Sequence, residues 1–243
     1  MYGRRGRIGL IVPASNTVCE PEMAKLCPRD VATYSTRILF TPTIKGLKDM
    51  KAHIERASEE LSSEGICRLI AFCCTVGSMI GGVGYDEEII QAIEERAGIP
   101  AITTTTAIRA ALSALGIKRL AVATPYTAEI NNIERSLLND MGYEVTGIVG
   151  YHENVRPQDL KNDMIGRLSP EVALELGRAV NGPENDALFI SCTNFRSIEI
   201  IERLEIETGK PVISSNQVTM WHSLRKMGID DRINGLGRLF DSL

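Results

Sequence analysis

The apolar positions of the chain fall into eight short, largely continuous runs separated by longer amphipathic stretches. The runs lie near 7–12, 32–39, 68–73 and 100–103, and again near 119–124, 143–150, 187–191 and 211–214. Runs of this length with little polar alternation predict strands of a parallel sheet covered on both faces. The stretches 17–26, 47–63, 86–96 and 104–115, then 127–140, 170–180, 195–207 and 216–227, have helical character. Strands alternating with helices predict right-handed crossovers and a doubly wound α/β fold.

The pattern repeats. Arg7-Ile-Gly-Leu-Ile-Val-Pro13 is similar to Arg119-Leu-Ala-Val-Ala-Thr-Pro125, an offset of 112. Arg68-Leu-Ile-Ala-Phe-Cys-Cys-Thr75 is similar to Asp186-Ala-Leu-Phe-Ile-Ser-Cys-Thr193, an offset of 118. Gly98-Ile-Pro-Ala-Ile-Thr-Thr104 is similar to Gly209-Lys-Pro-Val-Ile-Ser-Ser215, an offset of 111. Three landmarks in one order at nearly one spacing indicate an internal duplication. The expected architecture is two similar parallel-sheet lobes, residues 1–115 and 116–243, related by a pseudo-two-fold axis with a cleft between them. Leu115-Gly116-Ile117-Lys118 is the only seam, and part of the C-terminal helix is expected to pack on the first lobe.

Composition narrows the function. The 243 residues are 44% hydrophobic and 24% charged, with a formal net charge of -4 and only 5% aromatic residues. A globular domain fits; disorder, collagen and coiled coil do not. No basic tract and few aromatic residues argue against nucleic-acid binding. No apolar run approaches the ~18 residues of a membrane span. The apolar stretch after the first residues is too short for a secretion signal, so a cytoplasmic protein is expected. Six cysteines in a chain of this length do not make a disulfide scaffold. With three histidines and none at ligand spacing from a cysteine pair, a metal site is not expected. The apolar helices would support a homo-oligomer.

The candidate chemistry sits where strands end, the position at which such sheets bind ligands. These ends are Pro13-Ala-Ser-Asn-Thr17, Cys73-Cys-Thr75, Thr124-Pro-Tyr-Thr127 and Ser191-Cys-Thr-Asn194. Cys74 and Cys192 occupy matched repeat positions, each before a threonine at an expected strand-to-helix turn. Facing each other across the cleft, one thiol could take a proton from a substrate while the other gives one. A helix N-terminus would draw their acidity toward neutrality; the competing reading is two small buried hydrophobes. Asn16 fits both a carboxylate donor and a helix cap. Tyr126 fits both a site hydroxyl and a surface aromatic. Cys73 should point away from the cleft, and Cys19, Cys27 and Cys67 read as structural. Gly81-Gly-Val-Gly-Tyr85 follows no strand, so it reads as a close backbone approach or a mobile segment rather than a nucleotide loop. Thr103 to Thr106 read as a strand end and cap, and His222 beside Trp221 as packing.

With these residues in place, the chain resembles the aspartate/glutamate racemase superfamily, in its branch of maleate cis-trans isomerases and arylmalonate decarboxylases. The resemblance rests on Gly9-Leu-Ile-Val-Pro-Ala-Ser-Asn-Thr17 and on Cys74 with Tyr85 eleven residues later. It rests further on Thr124-Pro-Tyr126 and on Ser191-Cys192 followed by Gly209-Lys-Pro-Val-Ile-Ser-Ser215. It runs from about residue 7 to 227. It implies a cofactor-independent isomerase of a small dicarboxylate, maleate to fumarate, with Cys74 as nucleophile and Cys192 as acid or base. Pro13, Asn16, Thr75, Val76, Tyr126, Asn162 and Thr193 are the implied substrate-binding residues, and neither metal nor organic cofactor is implied.

Some residues depart from this pattern. The decarboxylases have glycine where this chain has Cys74, and a serine where it has Val76. Cys192-Thr-Asn194 is closer to amino-acid and hydantoin racemases, so racemisation by two-thiol proton transfer stands as the alternative. A decarboxylase-like enzyme and a non-enzymatic small-acid binding module complete the alternatives.

Overall fold

The structure, a computed structural model, describes residues 1–39 and 44–241. The first half runs β1 (Gly6–Pro13), α1 (Cys19–Leu26), β2 (Val31–Ile38), α2 (Ile44–Ser62), β3 (Leu69–Phe72), α3 (Thr75–Met79), α4 (Tyr85–Ala97), β4 (Ala101–Thr103) and α5 (Thr104–Ala114). The second half runs β5 (Arg119–Thr124), α6 (Ala128–Asp140), β6 (Glu144–Gly150), α7 (Asn162–Gly166), α8 (Pro170–Val180), β7 (Ala187–Ile190), α9 (Ile201–Thr208), β8 (Val212–Ser214), α10 (Ser215–Lys226) and the short α11 (Arg238–Asp241).

Each half forms a four-stranded parallel sheet, with orders β2-β1-β3-β4 and β6-β5-β7-β8. The two orders are the same topology, as the duplication requires. β3, β4, β7 and β8 are buried at every position, which is why their sequences carry no polar alternation. β2 and β6, each at a sheet edge, carry most of the exposed or half-exposed positions; β1 and β5 have one each, Arg7 and Arg119. The strand order reverses between β1 and β3, and again between β5 and β7. Loops after these four central strands therefore open into the crevices where α/β sheets bind ligands.

The repeat extends to capping chemistry. Gly98 and Gly209, 111 residues apart, end α4 and α9 with φ of 67° and 70°, a conformation in which glycine has no side chain to clash. Thr103 and Ser214, also 111 apart, begin α5 and α10 through capping boxes completed by Thr106 and Gln217.

Three helix expectations need correction. The helix expected at 195–207 starts at Ile201, because the preceding N–H groups bond across the molecule instead. Ser197 N and Ile198 N donate to Glu22 Oε1 at 2.8 and 3.3 Å. The helix expected from residue 17 starts at Cys19, after a turn held by Asn16. α3 and α7, five residues each, are too short to leave a helical period in the sequence.

One apolar core crosses both halves, joining Ile8, Val12 and Ile108 to Val122, Leu188 and Val218. α10 of the second half lies against α5 and α1 of the first. A second cluster, including Ile54, Phe72 and Ile93, belongs to the first half alone. Among the described residues no helix is long and apolar enough to cross a membrane.

Glu22 on α1 ties the halves together beneath the crevice. Besides Ser197 and Ile198 it accepts from Asn216 Nδ2 at 2.7 Å. Burial pushes its carboxyl up to about 7, against those three donors. The folded chain thus holds this proton at a pH where the unfolded chain has lost it. The contribution is full below about pH 4.5 and is lost as pH rises through about 7. Glu22→Ala leaves three buried donors without an acceptor and should cost about 3 kcal/mol or more in urea unfolding. Glu22→Gln should lower stability less, and the loss of stability between pH 5 and 8 should shrink by about 3 kcal/mol relative to the parent.

Candidate active site

The four central loops enclose a cavity of about 370 Å³. All nine residues selected from the sequence line it. Pro13 ends β1 and Asn16 comes from the loop after it; Cys74, Thr75 and Val76 follow β3. Tyr126 follows β5, Cys192 and Thr193 follow β7, and Asn162 opens α7. The crevice rule is enough to bring the first eight together, since each sits just past a central strand. Asn162 arrives from the long β6–α8 connection instead.

The two thiols differ in backbone setting. Cys74 is extended and caps α3, its Sγ accepting from Gly77 N at 3.3 Å. Cys192 is not at a helix start. Its φ is +104°, a strained value for a residue with a side chain. Its Sγ accepts from Asn194 N at 3.3 Å and is bonded by the Tyr126 hydroxyl.

Acidity also departs from the expectation of near-neutral thiols. Burial pushes both Cys74 and Cys192 up to about 12, outweighing the donors at each sulfur. The charge of Cys192 further raises Cys74. Tyr126 is 5% exposed, not a surface aromatic, and burial raises its hydroxyl well above the ordinary tyrosine range. A low-dielectric site thus keeps its acids protonated until a ligand or a reaction step supplies compensation.

Asn16 does both of the things its residue type allows. Its Oδ1 accepts from Val18 N at 3.0 Å and Cys19 N at 2.9 Å, ordering the turn into α1. Its Nδ2 donates to Thr193 Oγ1 at 3.0 Å, and Thr193 Oγ1 donates to Cys73 O at 3.2 Å. On the other diagonal, Thr75 Oγ1 donates to Ser215 Oγ at 3.0 Å, which also accepts from Cys192 N at 3.0 Å. Each cysteine loop is therefore positioned by the threonine beside the other cysteine.

Asn194, at the end of the Ser191-Cys-Thr-Asn194 segment, is a positioning residue whose role has no signal in the sequence. Its Oδ1 accepts from Thr17 N at 2.9 Å, and its Nδ2 donates to Asn162 O at 2.7 Å. Asn162 Nδ2 in turn reaches Ser15 Oγ at 2.9 Å. This chain of amides fastens α7 over the cavity. The apolar wall of Ile130, Pro157, Leu160 and Ile165 has little signal in the sequence, because all but Ile130 come from the β6–α8 connection, whose helical turns are too short to leave a period. Lys161 is the only charged side chain among the described lining residues.

Other sequence candidates fall outside the cavity. Cys73 is fully buried in the cross-half core with Cys19, on the opposite face of its strand from Cys74. Cys67 is buried and Cys27 half-buried, and all six cysteines are free. His222 stacks at 6.2 Å on Trp221, and burial lowers its imidazole to about 4. Thr103 to Thr106 form the strand end and capping box. Gly81 is a close approach: a Cβ there would meet the Tyr85 ring at 2.2 Å.

The model of the arylmalonate decarboxylase family matches residues 8–240. A maleate isomerase of Nocardia farcinica is 29% identical over 245 residues, spanning 96% of this chain and 94% of the relative. The crystal structure of a cysteine-to-alanine variant of the maleate isomerase from Pseudomonas putida, with maleate, superposes with a TM-score of 0.86. It is 26% identical over 98% of each chain. A cysteine-to-serine variant of the Nocardia farcinica maleate cis-trans isomerase, with a covalently bound succinylcysteine intermediate, also gives 0.86. It is 26% identical, covering 97% of this chain and 98% of that one. Two matched parallel sheets, a pair of thiols in the crevice between them and a family match over nearly the whole length agree: this chain belongs to the arylmalonate decarboxylase family.

Proposed function

We propose that the protein is a cofactor-independent cis-trans isomerase of a small dicarboxylate, converting maleate to fumarate through covalent addition of Cys74. The observation that carries the reading is the convergence of two thiols on one cavity whose other polar lining is almost entirely neutral donors. Such a lining suits carboxylates without requiring each to be neutralised by a fixed charge. Decarboxylation with one thiol would leave Cys74 without a task. The succinylcysteine adduct seen in the Nocardia farcinica relative supports addition over simple proton exchange.

The reaction balances as follows. After the Cys74 thiol gives its proton to solvent, its thiolate adds to one olefinic carbon, and the π electrons move onto the other, spread into the adjacent carboxylate. The Cys192 thiol protonates that carbon, giving a succinyl thioether with a single bond that can rotate. After rotation the Cys192 thiolate removes a proton from that carbon. The double bond re-forms in the trans geometry and the C–S bond breaks, returning the Cys74 thiolate. Gly77 N–H already bonds Cys74 Sγ, and Asn194 N–H and the Tyr126 hydroxyl bond Cys192 Sγ. These donors are placed where sulfur charge develops and need no reorganisation.

Roles for the remaining residues follow from their free valences. Asn16 uses one amide hydrogen on Thr193 and keeps a second for a carboxylate. Asn162, with one amide hydrogen on Ser15, keeps a second donor at the rim, and Thr75, its hydroxyl hydrogen committed to Ser215, lines the floor. Pro13 and Val76 shape the cavity beside the olefin, and Thr193 fixes the Cys192 loop.

Proton NMR of purified protein with maleate, no cofactor or metal added, should show fumarate forming. Cys74→Ala should abolish it. Cys192→Ser should lower turnover about 10²–10⁴-fold, a barrier increase of roughly 3–5 kcal/mol. Intact mass should then show one maleic acid added to Cys74. An inert parent protein that instead exchanges the α-proton of an amino acid or hydantoin with deuterated water would replace this reading with racemisation. Tyr126→Phe should reduce kcat about 100-fold with a smaller change in KM, since the donor acts on sulfur rather than on bound substrate.

A further inference from the structure

Behind Cys192 lies a buried carboxyl that the reaction above does not use. Glu134 on α6 is 2% exposed, and neither oxygen completes a hydrogen bond. Another buried polar atom is also unpartnered: Ser191 Oγ, one residue before Cys192. Ser191 is within reach of the Glu134 carboxyl. The contrast with Glu22 is direct, because Glu22 has three N–H donors to support a negative charge and Glu134 has none.

We propose that Glu134 is a positioning residue for the second thiol: as a neutral acid it can donate to Ser191 Oγ beneath Cys192, and its ionisation suppresses the Cys192 thiolate. The proposal rests on the catalytic reading of Cys192 given above. A carboxylic acid in this place can donate to the orphaned Ser191 Oγ; a carboxylate is a buried charge with no N–H donor or cation against it.

Apart from the Ser191 hydroxyl, the surrounding groups give the carboxylate no relief. Tyr126 faces it from the β5–α6 turn and Cys192 from the end of β7, and its charge raises both. Cys74 lies across the cavity, and α3 carries no ionisable side chain. β6 contributes Glu144 at its exposed start. After β6, His152 is bonded to Pro125 O at 2.6 Å and Glu153 to Gly150 N at 2.8 Å. On α6 itself, Arg135 is turned to Val145 O at 3.0 Å, and Glu129 and Asp140 are exposed. Burial moves the Glu134 carboxyl to about 7, so the two forms exchange in the physiological range.

The test is Glu134→Gln, which keeps the size and a donor but cannot ionise. Iodoacetamide labelling of Cys192, followed peptide by peptide in mass spectra, reads thiolate without needing substrate. At pH 6 variant and parent should label at similar rates. At pH 8.5 the variant should label about tenfold faster, because a like charge next to the thiol is gone. The ratio of variant to parent turnover should rise over the same pH range. Labelling curves that superimpose across pH overturn the proposal, whatever turnover does, since a purely structural role changes rates without changing their pH dependence. If Glu134→Gln does not fold, Glu134→Leu serves the same measurement. A parent inert to maleate, with the labelling difference intact, would retire the isomerase reading and leave the coupling of Glu134 to Cys192 standing.

Discussion

The crossed hydrogen bonds between Thr193 and the first half, and between Thr75 and the second, are the constraint on which the site depends. A duplicated α/β unit has two crevices, each at the carboxyl ends of its own central strands. Nothing in one unit alone aims its crevice at the other. Thr193 joins Asn16 to the Cys73 carbonyl, and Ser215 joins Thr75 to the Cys192 amide. Both diagonals are buried, so each hydroxyl has little alternative to the bond it makes. The result is one cavity with a thiol on each wall. Glu22 repeats the principle lower down, replacing the first turn of an expected helix with backbone donors aimed at the opposite half.

Burial then decides the resting chemistry. A helix start makes a thiol only modestly more acidic, and α3 is only five residues long. Desolvation acts on the whole charge and wins at both cysteines. The site is therefore poised rather than charged. Donors lie against each sulfur, but the thiols stay protonated. This arrangement avoids placing two thiolates beside a dianionic ligand, while keeping stabilising groups in position for the one that forms.

Much of this was legible in the sequence, for identifiable reasons. Buried parallel strands leave uninterrupted apolar runs, and a duplication doubles every landmark, so the strands and the strand-end residues from Pro13 to Thr193 could be placed without coordinates. The helix expected at 195–207 starts late because its amphipathic pattern is real while its first N–H groups are claimed by Glu22, 175 positions away in the chain. The acidity of Cys74 and Cys192 was misjudged because depth in the fold has no local signature. Glu134 and Asn194 went unassigned for the same reason: an acid in the buried stripe of a helix and an amide in a turn acquire meaning only from what the other half puts against them.

The duplication is also where the two thiols part. Pro125-Tyr126 of the second half aligns with Pro13-Ala14 of the first, so the phenol on Cys192 has no counterpart beside Cys74. Cys192 also sits in a left-handed backbone conformation, whereas Cys74 is extended. The charges of both buried carboxyls, Glu22 and Glu134, act on Cys192. A thiol tuned by a hydroxyl donor and by nearby acids suits the repeated giving and taking of a proton. A thiol with only a backbone N–H at its sulfur suits bond formation to carbon, where nucleophilicity matters more than reversible protonation. Symmetry brings the two sulfurs together; the single change from alanine to tyrosine, with the acids behind it, divides the labour between them.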